Sequence, residues 1–167
     1  SPVGKQEQYY KTSGADESRR RIFEAPEARV LVVDDSLMNL NVVCQLLKRS
    51  QVQVDTAMSG MECLQKTKQH FYHVILLDHM MPEMDGIETI GKIRSQINGL
   101  CRETSIIALT ANYGSNMQKV YQEAGFDGFV EKPVQGAFLE ETILAYLPED
   151  IIEYQNKEDT TEAVTNI

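Results

Sequence analysis

Apolar residues in this chain come in short unbroken runs, separated by longer stretches in which they recur every three or four positions. The runs Val30 to Val33, Val74 to Leu77 and Ile106 to Leu109 are continuous, which suits strands covered on both faces of a sheet. Gln51-Val52-Gln53-Val54 instead alternates polar and apolar, which suits a half-exposed strand at a sheet edge. A fifth run, Phe126 to Val130, closes the series. Helical spacing fills the gaps. Leu37, Leu40, Val43, Cys44 and Leu47 follow Ser36 as N-cap, and Ser59 to Gln69 forms a second helix. Asp85-Gly86 opens a third that carries Ile87, Ile90 and Ile97 toward the sheet. Met117, Val120, Tyr121 and Ala124 line a fourth before Gly125 as C-cap, and Leu139, Ile143 and Tyr146 share one face of a fifth.

Strands alternating with helices predict a parallel sheet covered on both sides, a (βα)5 three-layer α/β sandwich of flavodoxin-like type. Right-handed crossovers and the edge character of the second strand favour the order 2-1-3-4-5, whose switch point lies between strands one and three. The strand ends carry chemistry: Asp34 and Asp35 after the first, Asp78 after the third, Thr110 after the fourth and Lys132 after the fifth. Parallel strands deliver those ends to one crevice. Three carboxylates there repel one another unless a cation compensates them or one acid stays protonated. All-oxygen ligation with few protein ligands points to Mg2+, which keeps several waters and accepts phosphate oxygens, with Mn2+ as a substitute. An in-line nucleophile, a metal and two further donors match phosphoryl transfer, so an aspartyl-phosphate switch is expected.

Composition narrows the picture. The chain has 167 residues and is 42% hydrophobic, an ordinary globular composition. A net charge of -9 argues against nucleic acid as a partner, since phosphate neutralisation needs clustered Lys and Arg. Cys44, Cys63 and Cys101 are odd in number and never paired as CxxC, which favours neither disulfides nor zinc and fits a reducing cytoplasm. No apolar stretch is long enough to span a bilayer, so no direct membrane contact is expected. Residues 1–27, which begin Ser1-Pro2 and include Arg19-Arg20-Arg21, read as a linker of an excised fragment. Residues 28–147 read as the domain, and 148–167 as an acidic tail that frays or extends as a helix.

The segments VLVVDDSLMN, ILLDHMMPEMDG, ALTA and FVEKPV resemble the motifs of response-regulator receiver domains, in the right order over about Ala28 to Leu147. The resemblance implies that Asp78 is the phosphoacceptor, Asp35 a direct metal ligand and Asp34 a ligand either directly or through water. Met80 would offer its backbone carbonyl. Thr110 and Lys132 would bind phosphoryl oxygens, Ala111 would leave the group room, and Phe129 would be the aromatic switch. It implies a cis Lys132-Pro133 bond that aims the ammonium inward. The spacing from the Asp pair to Asn39, with DHMMPEMDG, resembles receivers of hybrid sensor histidine kinases, which implies a cytoplasmic location, as in the cytoplasmic part of a membrane-bound sensor. Phosphate would then come from a phosphohistidine on a kinase dimerisation or histidine phosphotransfer domain. Leu37, Met38 and Leu40 are candidate contacts, with core packing the reading preferred for Leu40. Self-association through helix four, strand five and helix five is a further implication.

No autokinase histidine motif or nucleotide-binding glycines are present, so ATP-dependent kinase activity is not expected; the unit would catalyse only its own phosphorylation and dephosphorylation. A phosphatase of the haloacid dehalogenase type needs an acid two residues after the nucleophile, where Met80 stands. A pseudoreceiver that only binds partners is the main alternative, yet no acid and no lysine is missing. His70, His73 and His79 lack metal-ligand spacing, and His79 alternates to the side opposite Asp78. Met80 and Asn112 flank the phosphoryl position. Apolar Met80 is expected to impede attacking water, so Met80→Asn should shorten phosphate lifetime; an unchanged lifetime would remove the idea.

Overall fold

The structure, a computed structural model, describes residues 22–111 and 115–155. Its centre is a parallel sheet of β1 (Arg29–Val33), β2 (Gln53–Ala57), β3 (Val74–Asp78), β4 (Ser105–Thr110) and β5 (Gly128–Glu131). Their spatial order is β2-β1-β3-β4-β5, as expected. The crossovers are α1 (Leu37–Leu46), α2 (Gly60–Gln69), α3 (Gly86–Arg94) and α4 (Ser115–Ala124), and α5 (Gly136–Tyr146) follows β5.

Strand periodicity sorts the core into two halves. Val30, Val32, Leu76, Ile107 and Leu109 pack with Leu40 and Val43 of α1 and Leu139 and Ile143 of α5. The alternate residues Leu31, Val33, Ile75, Leu77, Ile106 and Ala108 pack with Cys63, Ile90, Ile93 and Tyr121 of α2, α3 and α4. Both faces are covered, so β3 is buried at every position, whereas β2 is buried only at Ala57. Each fully buried Leu or Ile contributes roughly 1.5–3 kcal/mol relative to exposure.

Helix starts are set by side chains. Ser36, Ser59 and Asp85 accept from the backbone N–H of Asn39, Glu62 and Glu88, satisfying donors that the first turn leaves open. Gly86 is required by contact: a Cβ there would meet the Asp78 carbonyl oxygen at 2.5 Å. Helix α3 can therefore start directly against the end of β3, with the Gly86 N–H donating to the His79 carbonyl at 2.7 Å.

Several local expectations shift. The second strand begins at Gln53, because Gln51 adopts φ 61° in the turn after α1. Strand five covers Gly128–Glu131. Ile97 lies beyond the end of α3 and is 78% exposed, and Ile93 takes the buried place; Asn98 at φ 60° and the Gly99 N–H bond to the Gln96 carbonyl turn the chain there. Val120 faces outward, and Tyr121 carries the buried face of α4.

The flanks also join the body. Ile22–Glu24 pairs antiparallel with Glu153–Gln155, and Phe23 and Ala25 are buried in the α1–α5 half of the core. A 3-10 turn at Glu149–Ile151 leads into that pairing. A single Phe among polar residues has no periodicity, so its burial leaves no trace in the pattern. The Arg19–Arg21 triplet, Asn112 and the acidic residues beyond 155 lie outside the described residues.

Candidate functional site: an acidic pocket at the carboxyl edge of the sheet

Neighbouring strands β1 and β3 end side by side at the switch point, and this brings the acids together. Oxygen atoms of Asp34, Asp35 and Asp78 lie within 4.8 Å of one another. Asp34 and Asp78 are almost fully buried, whereas Asp35 is exposed at the pocket mouth. Thr110, the last residue of β4, is 1% exposed. Lys132 follows β5, and its backbone N–H donates to the Thr110 carbonyl at 2.8 Å. Its Nζ lies 3.0 Å from Asp78 Oδ1 and 3.1 Å from Asp34 Oδ2. The Lys132-Pro133 bond is cis.

Asp34 is held by more than charge. It accepts from the Ser36 N–H at 2.9 Å, and the Asn39 amide reaches its two oxygens at 3.4 and 3.3 Å. The spacing from Asp34 to Asn39 thus becomes a contact one turn into α1. Met80 donates its N–H to Asp78 Oδ1 at 3.4 Å, while its side chain is 69% exposed on the rim.

The electrostatics are unbalanced. Burial raises the Asp78 carboxyl above its ordinary value; Lys132 opposes the rise and Asp34 adds to it. Burial pulls the Lys132 ammonium down, but its bonds to Asp78 and Asp34 outweigh this and hold it above its ordinary value. The two directions agree physically: one cation satisfies itself between two anions, while each anion has only a share of it.

The donor set fits a hard divalent cation. Three carboxylates supply oxygen only, and one of them is open to solvent, as a hard divalent cation that keeps several waters requires.

One neighbour was not legible as part of the site. Tyr121, which helical spacing assigns to the core, places its hydroxyl 2.9 Å from Nδ1 of His79, the residue that follows Asp78. Its ring packs edge-on against His79 and Phe126 and lies 6.3 Å from that of Phe129. His79 does turn toward α4, away from the acids, as the alternation implies.

A sequence profile described as "Response regulator receiver domain" matches residues 30–144. The chain belongs to the response regulator receiver family. Hybrid signal transduction histidine kinase L of Dictyostelium discoideum is 36% identical over 122 residues, 71% of this chain, and the match covers 7% of that protein. This receiver therefore spans a small part of the curated relatives it matches. Among solved structures, chemotaxis protein CheY4 of Vibrio cholerae is 31% identical with a TM-score of 0.67, covering 72% of this chain and 98% of that one. The receiver domain of a sensor histidine kinase of Pseudomonas aeruginosa, with a magnesium ion in its active-site cleft, is 28% identical. Its TM-score is 0.64, with 71% of this chain and 96% of that one covered. The relatives matched include hybrid histidine kinases, and the fold of this receiver is that of the CheY-like proteins.

Proposed function

We propose that this receiver accepts a phosphoryl group on Asp78 from a phosphohistidine and signals by a change at Thr110 and Phe129. The observation that carries the reading is the shared position of Lys132, within 3.1 Å of both Asp34 and Asp78 at the switch point. In the reaction an Asp78 oxygen attacks phosphorus in line. The P–N bond breaks, its electron pair leaves with the imidazole, and the imidazole takes up a proton from water. Lys132 would exchange its bond to Asp78 for one to a phosphoryl oxygen, and Thr110 would hold another. Ala111, on the exposed side of the β4 end, leaves that group space.

Asp34, Asp35, Asp78 and the Met80 carbonyl would hold Mg2+, with Mn2+ as a substitute; when bound, the ion neutralises charge on the transferring oxygens. All three acids and the lysine converge, so the pseudoreceiver reading is not favoured.

The partner is a helix-borne histidine on a kinase dimerisation or histidine phosphotransfer domain. Leu37 and Met38 at the start of α1 are 61% and 74% exposed beside the pocket, and Leu40 is buried at 2%. Leu37 and Met38, with Met80, therefore form the apolar rim for docking, while Leu40 serves the core. The parent chain is a hybrid sensor histidine kinase with this unit in the cytoplasm, and α4, β5 and α5 offer a surface for self-association. The unit to express runs from 22 to 155, since both flanks pack.

Intact mass after exposure to acetyl phosphate and Mg2+ tests the proposal. One added phosphoryl group is expected on the native chain, none on Asp78→Ala and none with EDTA. Labelling of the alanine variant would overturn the assignment.

A further inference from the structure

The buried carboxylate of Asp34 has donors on both oxygens. The Ser36 N–H reaches Oδ1 at 2.9 Å, and the Lys132 ammonium reaches Oδ2 at 3.1 Å. The Asn39 side chain, from the first turn of α1, meets both oxygens, at 3.4 and 3.3 Å. Its amide nitrogen is the atom that faces them, because an amide oxygen there would bring no proton to the carboxylate. Among the described residues, Lys132 and Asn39 are the only donors to Oδ2.

Lys132 is not a lasting partner of Asp34. In the proposed transfer the ammonium is drawn to a phosphoryl oxygen, and Oδ2 then keeps only the Asn39 amide. A buried carboxylate oxygen left without a donor is costly, and the side chain is free to rotate away from its working position. Helix capping does not account for the Asn39 amide. Ser36 already accepts the Asn39 backbone N–H as N-cap at 3.3 Å, and asparagine is a poorer helix former than alanine. We propose that Asn39 is a positioning residue: its amide spans both oxygens of Asp34 and fixes that carboxylate for the divalent cation, whether the ion is met directly or through water. The inference rests on Asp78 as phosphoacceptor only for the departure of Lys132; the orientation of Asp34 toward the cation stands on the geometry of α1. Asn39 directly follows Met38 of the apolar rim, so the turn of α1 that would meet a partner also orients an acid of the pocket.

Asn39→Ala removes the amide. In the full chain, Mg2+ is titrated with no phosphodonor present, and the amide resonances of Asp35 and its neighbours report binding. The half-saturating Mg2+ concentration should rise on the order of tenfold, the usual loss when a group that orients a metal ligand is removed. Asn41, exposed on the same helix, supplies the control: Asn41→Ala makes the same change in helix propensity without touching Asp34 and should leave the titration as in the native chain. A merely structural role for Asn39 would lower the melting temperature in EDTA and leave the half-saturating concentration in place. If Asn39→Ala does not fold, Asn39→Leu, close in shape and without a donor, must give the same rise. A half-saturating concentration within about twofold of native in the deciding variant, or an equal rise in Asn41→Ala, would overturn the assignment. A native chain that binds no Mg2+ would overturn it as well. Failure of the native chain to take up a phosphoryl group is read separately, by mass, and removes the phosphoacceptor reading while the Mg2+ titration still decides the role of Asn39.

Discussion

The two edges of the central sheet balance their charged groups differently. At the amino edge Arg29 and Arg94 are each matched by an acid. Arg94 donates to the carbonyls of Arg102, Thr104 and Gly125 at 3.0, 2.7 and 2.9 Å and reaches Asp127 at 3.1 Å. Arg29 lies over the Tyr72 ring and 3.5 Å from Asp55, whose Oδ2 also accepts from the Tyr72 hydroxyl at 2.6 Å. At the carboxyl edge three carboxylates cluster, and one ammonium lies within 3.1 Å of two of them. A matched cluster has already used its interactions on the fold, whereas an unmatched one still has affinity for a cation and a phosphoryl group.

The contrast can be broken at either edge. The largest effect is expected from Lys132→Ala, which removes a charged donor from the transferring oxygens: the acetyl phosphate labelling rate should fall on the order of a hundredfold or more. A fall of less than tenfold would show the ammonium to be a structural counter-ion like those at the other edge. Arg94→Ala should leave labelling of folded protein unchanged while lowering stability by about 2–4 kcal/mol in urea titration, since several acceptors lose a charged donor at once.

Asp78→Asn should do the reverse at the carboxyl edge. Burial holds the Asp78 carboxyl above its ordinary value, so its contribution to stability is present at low pH and is lost as pH rises through its folded value. In EDTA at neutral pH the asparagine variant should melt about 2–4 °C higher, near 1 kcal/mol for a chain of this size, and Mg2+ should narrow the gap. A lower melting temperature would mean that Lys132 already balances the acids.

The smallest effect concerns His73, at the start of β3. Burial, with the Arg29 charge, lowers its pKa against the pull of Asp150, and its Nδ1 accepts the Arg29 N–H at 3.0 Å. A depressed histidine contributes stability above its unfolded value near 6.5 that is lost as pH falls toward and through the folded value. Between pH 7 and 5 the native chain should lose stability more steeply than His73→Asn, by a few tenths of a kcal/mol after solvent screening. Parallel pH curves would remove His73 from the matched cluster.

Much of the fold was legible because it rests on pattern. Continuous runs marked β1, β3 and β4, one alternating segment marked the edge strand, and Ser36, Ser59 and Asp85 marked helix starts. The second strand was placed two residues early because alternation reports the face a residue takes, and the boundary depends on the φ of Gln51. Ile97 was misplaced because helical spacing continues past Arg94, where a turn at Asn98 ends it. Asp34, Asp35, Asp78, Thr110 and Lys132 were legible as a site because parallel topology sends strand ends to one edge. Tyr121 was not, since a buried tyrosine at helical spacing looks the same whether or not its hydroxyl touches the chemistry.

The chain by itself determined the order of elements, the two-sided burial of the sheet and which side chains stand at its carboxyl edge, because these follow from periodicity and the handedness of crossovers. Only the folded structure decided that one lysine is shared between two acids, that the flanks pair and bury Phe23 in the α1–α5 half of the core, and that the Tyr121 hydroxyl reaches His79. Each of those joins residues distant in sequence across a few ångströms. Such pairings depend on packing between elements, to which no local pattern responds.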